Sequence, residues 1–105
     1  MEYIAVDAKS LEVRNNAAAE RFEVTLGDTI GLIDYQRQGS TYIFTHTGVP
    51  QEYGGQGVAD RLAYVALETA KAEGAQVVPL CPFVKKYIQR HKEYEALVVG
   101  HSQTK

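Results

Sequence analysis

A glycine-rich stretch near the middle of the chain constrains the fold more than any other feature. An apolar segment ends at Val49, Pro50 follows it, and glycines then occupy positions 54, 55 and 57. From Val58 onwards apolar residues recur at helical spacing as far as Ala70. The pattern predicts a strand, a tight turn and a helix. The first N–H groups of such a helix have no partner within it, and the macrodipole makes its start electropositive, so the turn suits a phosphate.

Two common phosphate loops do not fit this turn. A Walker A loop needs Lys and Ser or Thr after its last glycine, but Val58 and Ala59 follow Gly57. A dinucleotide loop needs a third glycine at position 60, which is Asp60. The segment instead resembles the pyrophosphate loop of the GNAT superfamily of N-acetyltransferases, Q/R-x-x-G-x-G/A, with Gly54 in place of the first Gln or Arg.

The resemblance extends over most of the chain. Residues 46–50 (HTGVP), 55–59 (GQGVA), 78–84 (VPLCPFV) and 87–94 (YIQRHKEY) are similar to a small, single-domain GNAT-like family of acetyltransferases. The similarity covers residues 13–99. It implies a minimal GNAT-like α/β fold, in which two parallel strands splay apart around the bound co-substrate.

The residue pattern itself predicts the elements of this fold. Strands are expected over residues 21–26, 30–37 and 41–49, and the short loops between them favour antiparallel pairing. A helix over 56–73, closed by Gly74, leads to a strand over 76–80 that lies parallel to the strand over 41–49. A second main helix begins at Pro82 and ends near His91. The expected fold is one domain over 1–105 with a mixed, mostly antiparallel sheet.

The ends of the chain are harder to interpret. Short strands are predicted around Ile4 and Val6 and around Leu11 and Val13, and residues 1–12 are expected to be peripheral. A last short element is expected over 93–99. Residues 101–105 are predicted to be a frayed tail.

The resemblance implies acetyl-CoA as co-substrate. The pantetheine arm is expected to hydrogen-bond the main chain of Val49, and the pyrophosphate to meet the glycine loop. Lys86, in a short basic run, is expected to reach a phosphate of CoA. The predicted co-substrate-binding residues are Val49, Gly54, Gly55, Gln56, Gly57, Val58, Ala59 and Lys86.

Two residues are the catalytic candidates. Cys81 is expected at the acetyl end of the pantetheine slot, where it accepts the acetyl group, lines the site, or is only a buried thiol. Tyr87 is expected either to protonate the departing CoA thiolate or to pack in the core. His46 is expected on the same sheet face as Tyr42 and Phe44, as a sheet residue rather than a base.

Composition excludes several other classes of protein. A net charge of −2 argues against nucleic acid as a partner, and no apolar run is long enough to span a membrane. One cysteine forms no internal disulfide, which fits a reducing, cytoplasmic location. No cluster has metal-ligand spacing, and a monomer or weak dimer is expected.

The sequence therefore predicts an acetyl-CoA-dependent N-acetyltransferase acting on a primary amine, either a protein or peptide lysine or a small amine. Two alternatives belong to other classes. One is an acetyl-CoA-binding sensor or interaction module with little catalysis, and the other is a structural adaptor whose loop binds nothing.

Overall fold

The computed structural model describes residues 4–100, which form a five-stranded mixed sheet with two α-helices on it. The strands lie in the order β1-β2-β3-β4-β5, the first four antiparallel to one another and the last two parallel. Their bounds are β1 (Val13–Asn16), β2 (Arg21–Leu26), β3 (Thr29–Gln38), β4 (Thr41–Gly48) and β5 (Gln76–Pro79). The helices are α1 (Val58–Glu73), which makes the crossover from β4 to β5, and α2 (Pro82–Arg90). The predicted fold class is confirmed.

Some predicted boundaries change. Ile4 and Val6 lie outside any strand, so the strand predicted there is wrong, and α1 begins at Val58 rather than at Gln56. Three short 3-10 helices, Ala8–Ser10, Gln51–Tyr53 and Lys92–Leu97, complete the described elements. The tail predicted over residues 101–105 lies outside the described residues.

The hydrophobic core lies between one face of the sheet, here called the inner face, and the two helices. On α1 the small residues Ala63 and Ala66 let the helix approach the sheet closely, beside Leu62 and Leu67, and all four are at most 1% exposed. A cluster of rings from three strands fills the middle of the core: Phe22, Tyr35, Tyr42 and Phe44. These contacts hold β4 firmly where it pairs with β5.

The opposite, outer face carries a buried carboxylate. Glu23 is 8% exposed and accepts hydrogen bonds from Arg21, Arg14 and Asn16. The Arg21 guanidinium, 2.8 Å away, is the main cause of a lowered pKa for Glu23, and Arg14 and Asn16 add to it against the opposing effect of burial. This cluster joins the ends of β1 and β2.

A β-bulge changes which side chains of β4 face the core. The β3–β4 register pairs Tyr35 with Phe44 but Asp34 with His46, so Thr45 is an extra residue in β4. Residues beyond the bulge therefore alternate in the opposite sense. His46 lies on the outer face opposite Asp34, and the prediction that it shares a face with Tyr42 and Phe44 is wrong.

The parallel pair of strands parts halfway along β4. Thr41 to Phe44 pair with Gln76 to Pro79, and the last link is a 2.9 Å hydrogen bond from the Cys81 N–H to the Phe44 carbonyl oxygen. Within residues 4–100, the main chain of residues 45–48 has no hydrogen-bonded partner on the β5 side, and this stretch is called the β4 gap below. The pairing stops because β5 ends at Pro79, so the second half of β4 lacks a parallel neighbour, as the predicted splayed pair requires.

Candidate functional site

The glycine loop between β4 and α1 has the backbone conformation that its sequence predicts. Gly55 has φ of 74° and Gly57 has φ of 90°, both in the left-handed region that residues with a Cβ rarely adopt. Gly57 caps α1, and no side chain hydrogen-bonds to this helix start. Glycine is therefore required at both positions for the chain to turn from β4 into the helix.

The loop exposes a row of unpaired donors. Within residues 4–100, the backbone N–H groups from Gly55 to Asp60 have no acceptor in the protein. The first amide of this region that bonds back is that of Arg61, which donates to the Gly57 carbonyl oxygen at 2.9 Å. Unpaired N–H groups at the positive end of a helix dipole are the donors that bind phosphate.

A small groove of about 330 Å³ runs from this loop to the end of β4. Val49 and Tyr53 form one side and Phe83, from the start of α2, the other. The remaining lining residues are Gly54, Gly55, Gly57, Ala59 and Asp60. Five of the predicted co-substrate-binding residues, Val49, Gly54, Gly55, Gly57 and Ala59, therefore lie around one groove, which begins where the β4 gap ends.

The other predicted binding residues have different surroundings. Val58 is 2% exposed and packs its side chain in the core, so only its N–H faces the loop. The Gln56 side chain holds the N-terminal segment: its Oε1 accepts from the Val6 N–H at 3.0 Å and its Nε2 donates to the Ile4 carbonyl oxygen at 2.8 Å. The Gln56 side chain therefore holds the N-terminal segment against the loop, a structural role that no pattern in the sequence revealed.

Lys86 is exposed on α2, one helical turn beyond Phe83. Side chains three apart on a helix are neighbours, so Lys86 lies on the side of α2 that borders the small groove. It does not itself line either groove. Its contact with a phosphate of CoA stays a prediction.

Cys81 lies at the closed end of the β4 gap. It is the residue before α2, it is 3% exposed, and its Sγ is 3.1 Å from the Thr47 hydroxyl. Thr47 pairs with the fully buried Ile33, so it faces inward next to the thiol. The thiol is therefore enclosed beneath β4, at the point where the two parallel strands part.

Tyr87 lines a larger groove of about 810 Å³, together with Tyr64 and residues 6–9 of the N-terminal segment, and this groove shares Gly57 and Asp60 with the small one. Its ring stacks on His91, with centroids 4.0 Å apart. Burial, and then the nearby Asp60 carboxylate, raise the pKa of Tyr87 above its ordinary value of 10.0. No residue in the described part of the chain hydrogen-bonds its hydroxyl. The hydroxyl therefore carries its proton at neutral pH. It makes no hydrogen bond to the described residues, so it can donate one to a ligand.

The structure does not bring the two catalytic candidates into one cavity. Cys81 lines neither groove, and Tyr87 lines only the larger one. Tyr87 is six positions after Cys81, which corresponds to a rotation of about 240° around the helix axis, so the two side chains point in different directions. They have separate surroundings in this structure.

Two side-chain contacts join α1 to the elements that follow β5. Asp60 of α1 pairs with Arg90 of α2 at 3.5 Å, and the Tyr94 hydroxyl donates to Glu68 of α1 at 2.6 Å. Sequence reasoning missed these pairs, because their partners are far apart in the chain. Across residues 4–100, no three His, Cys, Asp or Glu side chains are placed to hold a metal ion, and no helix is long and apolar enough to cross a membrane.

A parallel strand pair that parts beside a glycine loop, with free amides at a helix start, defines a class: an acyl-transferring enzyme of GNAT-like fold. Comparison with known proteins supports the same class. The model of the GCN5-related N-acetyl-transferase family matches residues 21–97, and the chain belongs to that family. The predicted family and enzyme class are thereby confirmed.

One solved structure shows the same fold over nearly the whole chain. It is the NMR solution structure of a GCN5-like protein from Staphylococcus aureus, 23% identical, with a TM-score of 0.66. The match covers 90% of this chain and 97% of that one. No curated protein matches the sequence.

Proposed function

We propose that this protein binds acetyl-CoA and transfers its acetyl group to a primary amine. The observation that carries the proposal is the continuity of two features: the unpaired amides of the glycine loop and the unpaired edge of β4. Enzymes of this family generally use acetyl-CoA, and the chain offers the donors and the slot that such a molecule needs. The amine is a protein or peptide lysine, or a small amine.

From the glycine loop along β4 to Cys81, the chain offers groups that suit successive parts of acetyl-CoA. The N–H groups from Gly55 to Ala59 suit the pyrophosphate, and Gly54, which borders the same groove, leaves the approach free of a side chain. The main chain from residue 45 to Val49 can satisfy the amides of the pantetheine arm, since free strand edges seek partners. The closed end, at Phe44 and Cys81, would then face the acetyl group. Lys86 remains the proposed contact to a phosphate.

The proposed transfer forms a C–N bond and breaks a C–S bond. The lone pair of the neutral amine attacks the thioester carbonyl carbon, and the sulfur leaves with the bonding pair and takes up a proton. The nitrogen gives up one proton in the same sequence. We propose that Cys81 lines the acetyl end, or accepts the acetyl group before the amine does. Tyr87, whose hydroxyl is protonated at neutral pH, is the proposed proton donor to the sulfur.

One observation favours the second candidate function, an acetyl-CoA-binding sensor or interaction module. Cys81 and Tyr87 do not share a cavity, so the two proposed catalytic groups are not assembled around one point. Gly54, standing where related loops carry Gln or Arg, removes a further contact. A sensor would need only the features that bind acetyl-CoA, and it would not need catalytic groups in a shared cavity.

We further propose that the protein acts as a monomer or weak dimer in the cytoplasm. The single cysteine, buried and without a disulfide, supports a reducing compartment.

Two measurements on the purified protein separate these functions. Calorimetric titration with acetyl-CoA tests binding, and thiol release with a panel of primary amines, from lysine peptides to small diamines, tests transfer. The enzyme requires binding and amine-dependent thiol release. Binding without release on any amine would leave the sensor, and absence of binding would overturn the proposal.

A further inference from the structure

The N-terminal segment, residues 4–11, crosses the glycine loop and is bonded to the chain on both sides of it. Before the loop, the Ile4 N–H donates to the Glu52 carbonyl oxygen at 2.7 Å. After the loop, in the first turn of α1, Arg61 Nε donates to the Leu11 carbonyl oxygen at 3.1 Å. The segment therefore bridges the two flanks of the loop.

Gln56 ties the loop itself to this segment. The other residues of the loop, which spans 54–57, are glycines, so Gln56 supplies its only side chain. The amide group of that side chain is used twice: Oε1 accepts from the Val6 N–H at 3.0 Å, and Nε2 donates to the Ile4 carbonyl oxygen at 2.8 Å. The one side chain that can anchor the loop is therefore bonded, at both of its polar atoms, to the N-terminal segment.

The anchor matters because a glycine-rich loop is costly to order. Glycine loses more conformational freedom on ordering than any other residue, and a ligand that binds a mobile loop must offset that loss. The bonds through the Gln56 side chain restrain the loop and still leave the N–H groups from Gly55 to Asp60 free within residues 4–100. A Cβ added at Gly57 would lie 3.6 Å from the Ala8 Cβ, so the segment lies directly beside these free N–H groups.

The segment is bonded loosely enough to leave the loop and return. Apart from the short 3-10 helix Ala8–Ser10, residues 4–11 contain no helix or strand. Val6 and Leu11 pack against the core, but both remain partly exposed, and Ile4 is 47% exposed. Segments with few buried apolar contacts open at a low cost in free energy. Its docking on the loop is therefore an equilibrium that a ligand of the loop can shift.

We propose that the N-terminal segment, acting through the Gln56 side chain, positions the glycine loop for acetyl-CoA, and that bound acetyl-CoA in turn holds the segment on the loop. This inference rests on the proposed function, because it takes the loop as the pyrophosphate site. The two effects have the same coupling free energy, since linkage between two binding equilibria is reciprocal. The family model matches residues 21–97, so the segment lies in a part of the chain that the model does not include.

The test compares Gln56→Ala with Gln51→Ala, a matched variant of an exposed glutamine just before the loop. Gln56 does not have a left-handed backbone, so alanine causes no strain there. Gln56→Ala removes both bonds to the segment and should raise the Kd for acetyl-CoA about tenfold in calorimetry, whereas Gln51→Ala should bind like wild type. Val6→Pro removes the N–H at the other end of one bond and should raise Kd about threefold. Added to Gln56→Ala, it should have little further effect, because that bond is already lost.

Amide hydrogen exchange measured by NMR tests the reciprocal effect. Saturating acetyl-CoA should slow exchange of the Ile4 and Val6 amides about fivefold or more in wild type, and should leave it unchanged in Gln56→Ala. Wild-type affinity in a folded Gln56→Ala variant would overturn the inference, as would exchange in wild type that does not respond to acetyl-CoA. Tighter binding by Gln56→Ala would also overturn it, since the segment would then cover the loop. Absence of acetyl-CoA binding by wild type would instead refute the proposed function.

Discussion

At the scale of single residues, Gly57 meets two demands at once. Its φ of 90° turns the chain into α1, and its missing side chain keeps the neighbouring amides open to a ligand. A Cβ there would also lie 3.6 Å from the Ala8 side chain, at the edge of the N-terminal segment. The residue therefore links the local backbone conformation to the proposed phosphate site.

The two roles of Gly57 can be separated by comparing its replacement with that of a second left-handed glycine that lies outside the loop. Gly39 has φ of 59° in a turn far from the loop, and a Cβ there would meet nothing within 4 Å. Gly57→Ala and Gly39→Ala should each lower the free energy of unfolding by about 1–2 kcal/mol. Only Gly57→Ala should weaken the binding of acetyl-CoA, and calorimetry should show an increase in Kd of tenfold or more. Equal affinities in the two variants would remove the loop from the binding site.

Cys81 is tested by truncation. Cys81→Ala removes a buried sulfur at a cost of about 1 kcal/mol and should leave acetyl-CoA affinity within about threefold of wild type, since the proposed contacts to the pantetheine arm come from the main chain. The rate of thiol release in this variant distinguishes the two proposed roles. A rate near wild type means direct transfer to the amine. A lost rate, together with an acetylated Cys81 found by mass spectrometry in wild type, means the covalent route.

Tyr87 is tested by removing one oxygen atom. Tyr87→Phe keeps the stacking on His91, so the melting temperature and acetyl-CoA affinity should hardly change. If the protonated hydroxyl serves the departing sulfur, kcat should fall about tenfold, at the low end for a general acid, because a thiolate of pKa about 8.5 leaves readily. Steady-state kinetics with the amine that wild type acetylates fastest measure this change in kcat. Full activity would make Tyr87 a packing residue of the larger groove.

At the scale of elements, the carboxylate cluster on β1 and β2 makes stability depend on pH. The pKa of Glu23 is lowered from 4.5 in the folded protein, so the unfolded chain binds the proton more tightly. The stabilisation is therefore complete above about pH 4.5 and is lost as pH falls through the lowered pKa. Glu23→Gln should unfold more readily at pH 7 and lose less stability on acidification.

Denaturant unfolding between pH 7 and pH 3 measures this effect. Glu12→Gln is the control, because Glu12 is exposed and has no ion pair among residues 4–100. That variant should follow the wild-type pH dependence. If Glu23→Gln did the same, the arginine contacts of Glu23 would contribute nothing to the acid side of the stability curve.

Periodicity was enough to predict the main strands and both helices, because each buries one face and leaves the other in water. It was not enough to predict the bulge. Thr45 stands in a run of β-branched and aromatic residues that alternates without a break, so the extra residue leaves no trace in the pattern. The face of His46 was therefore assigned wrongly.

The candidate site was predictable only in part, for a similar physical reason. Left-handed glycines and free helix amides follow from local sequence, and these were placed correctly. The Thr47–Cys81 contact and the use of the Gln56 side chain by the N-terminal segment depend on residues 34 and 50 or more positions apart. Only the folded chain brings such partners together, so local patterns do not contain them.

At the scale of the whole molecule, the sheet separates two surfaces. The inner side, with α1, α2 and the glycine loop, holds the features proposed to bind acetyl-CoA, and on the outer side Asp34 of β3 is paired with Arg21 of β2 and with His46 of β4. The β4 gap is the place where the two sides meet.

The most direct test of this account is the change in backbone amide NMR shifts when acetyl-CoA is titrated into ¹⁵N-labelled protein. The account predicts the largest changes at Gly55 to Asp60 and along residues 45–49, with none at the Gly39 turn. Changes confined to the larger groove around Tyr64 and Tyr87, or no change with acetyl-CoA in excess, would contradict it.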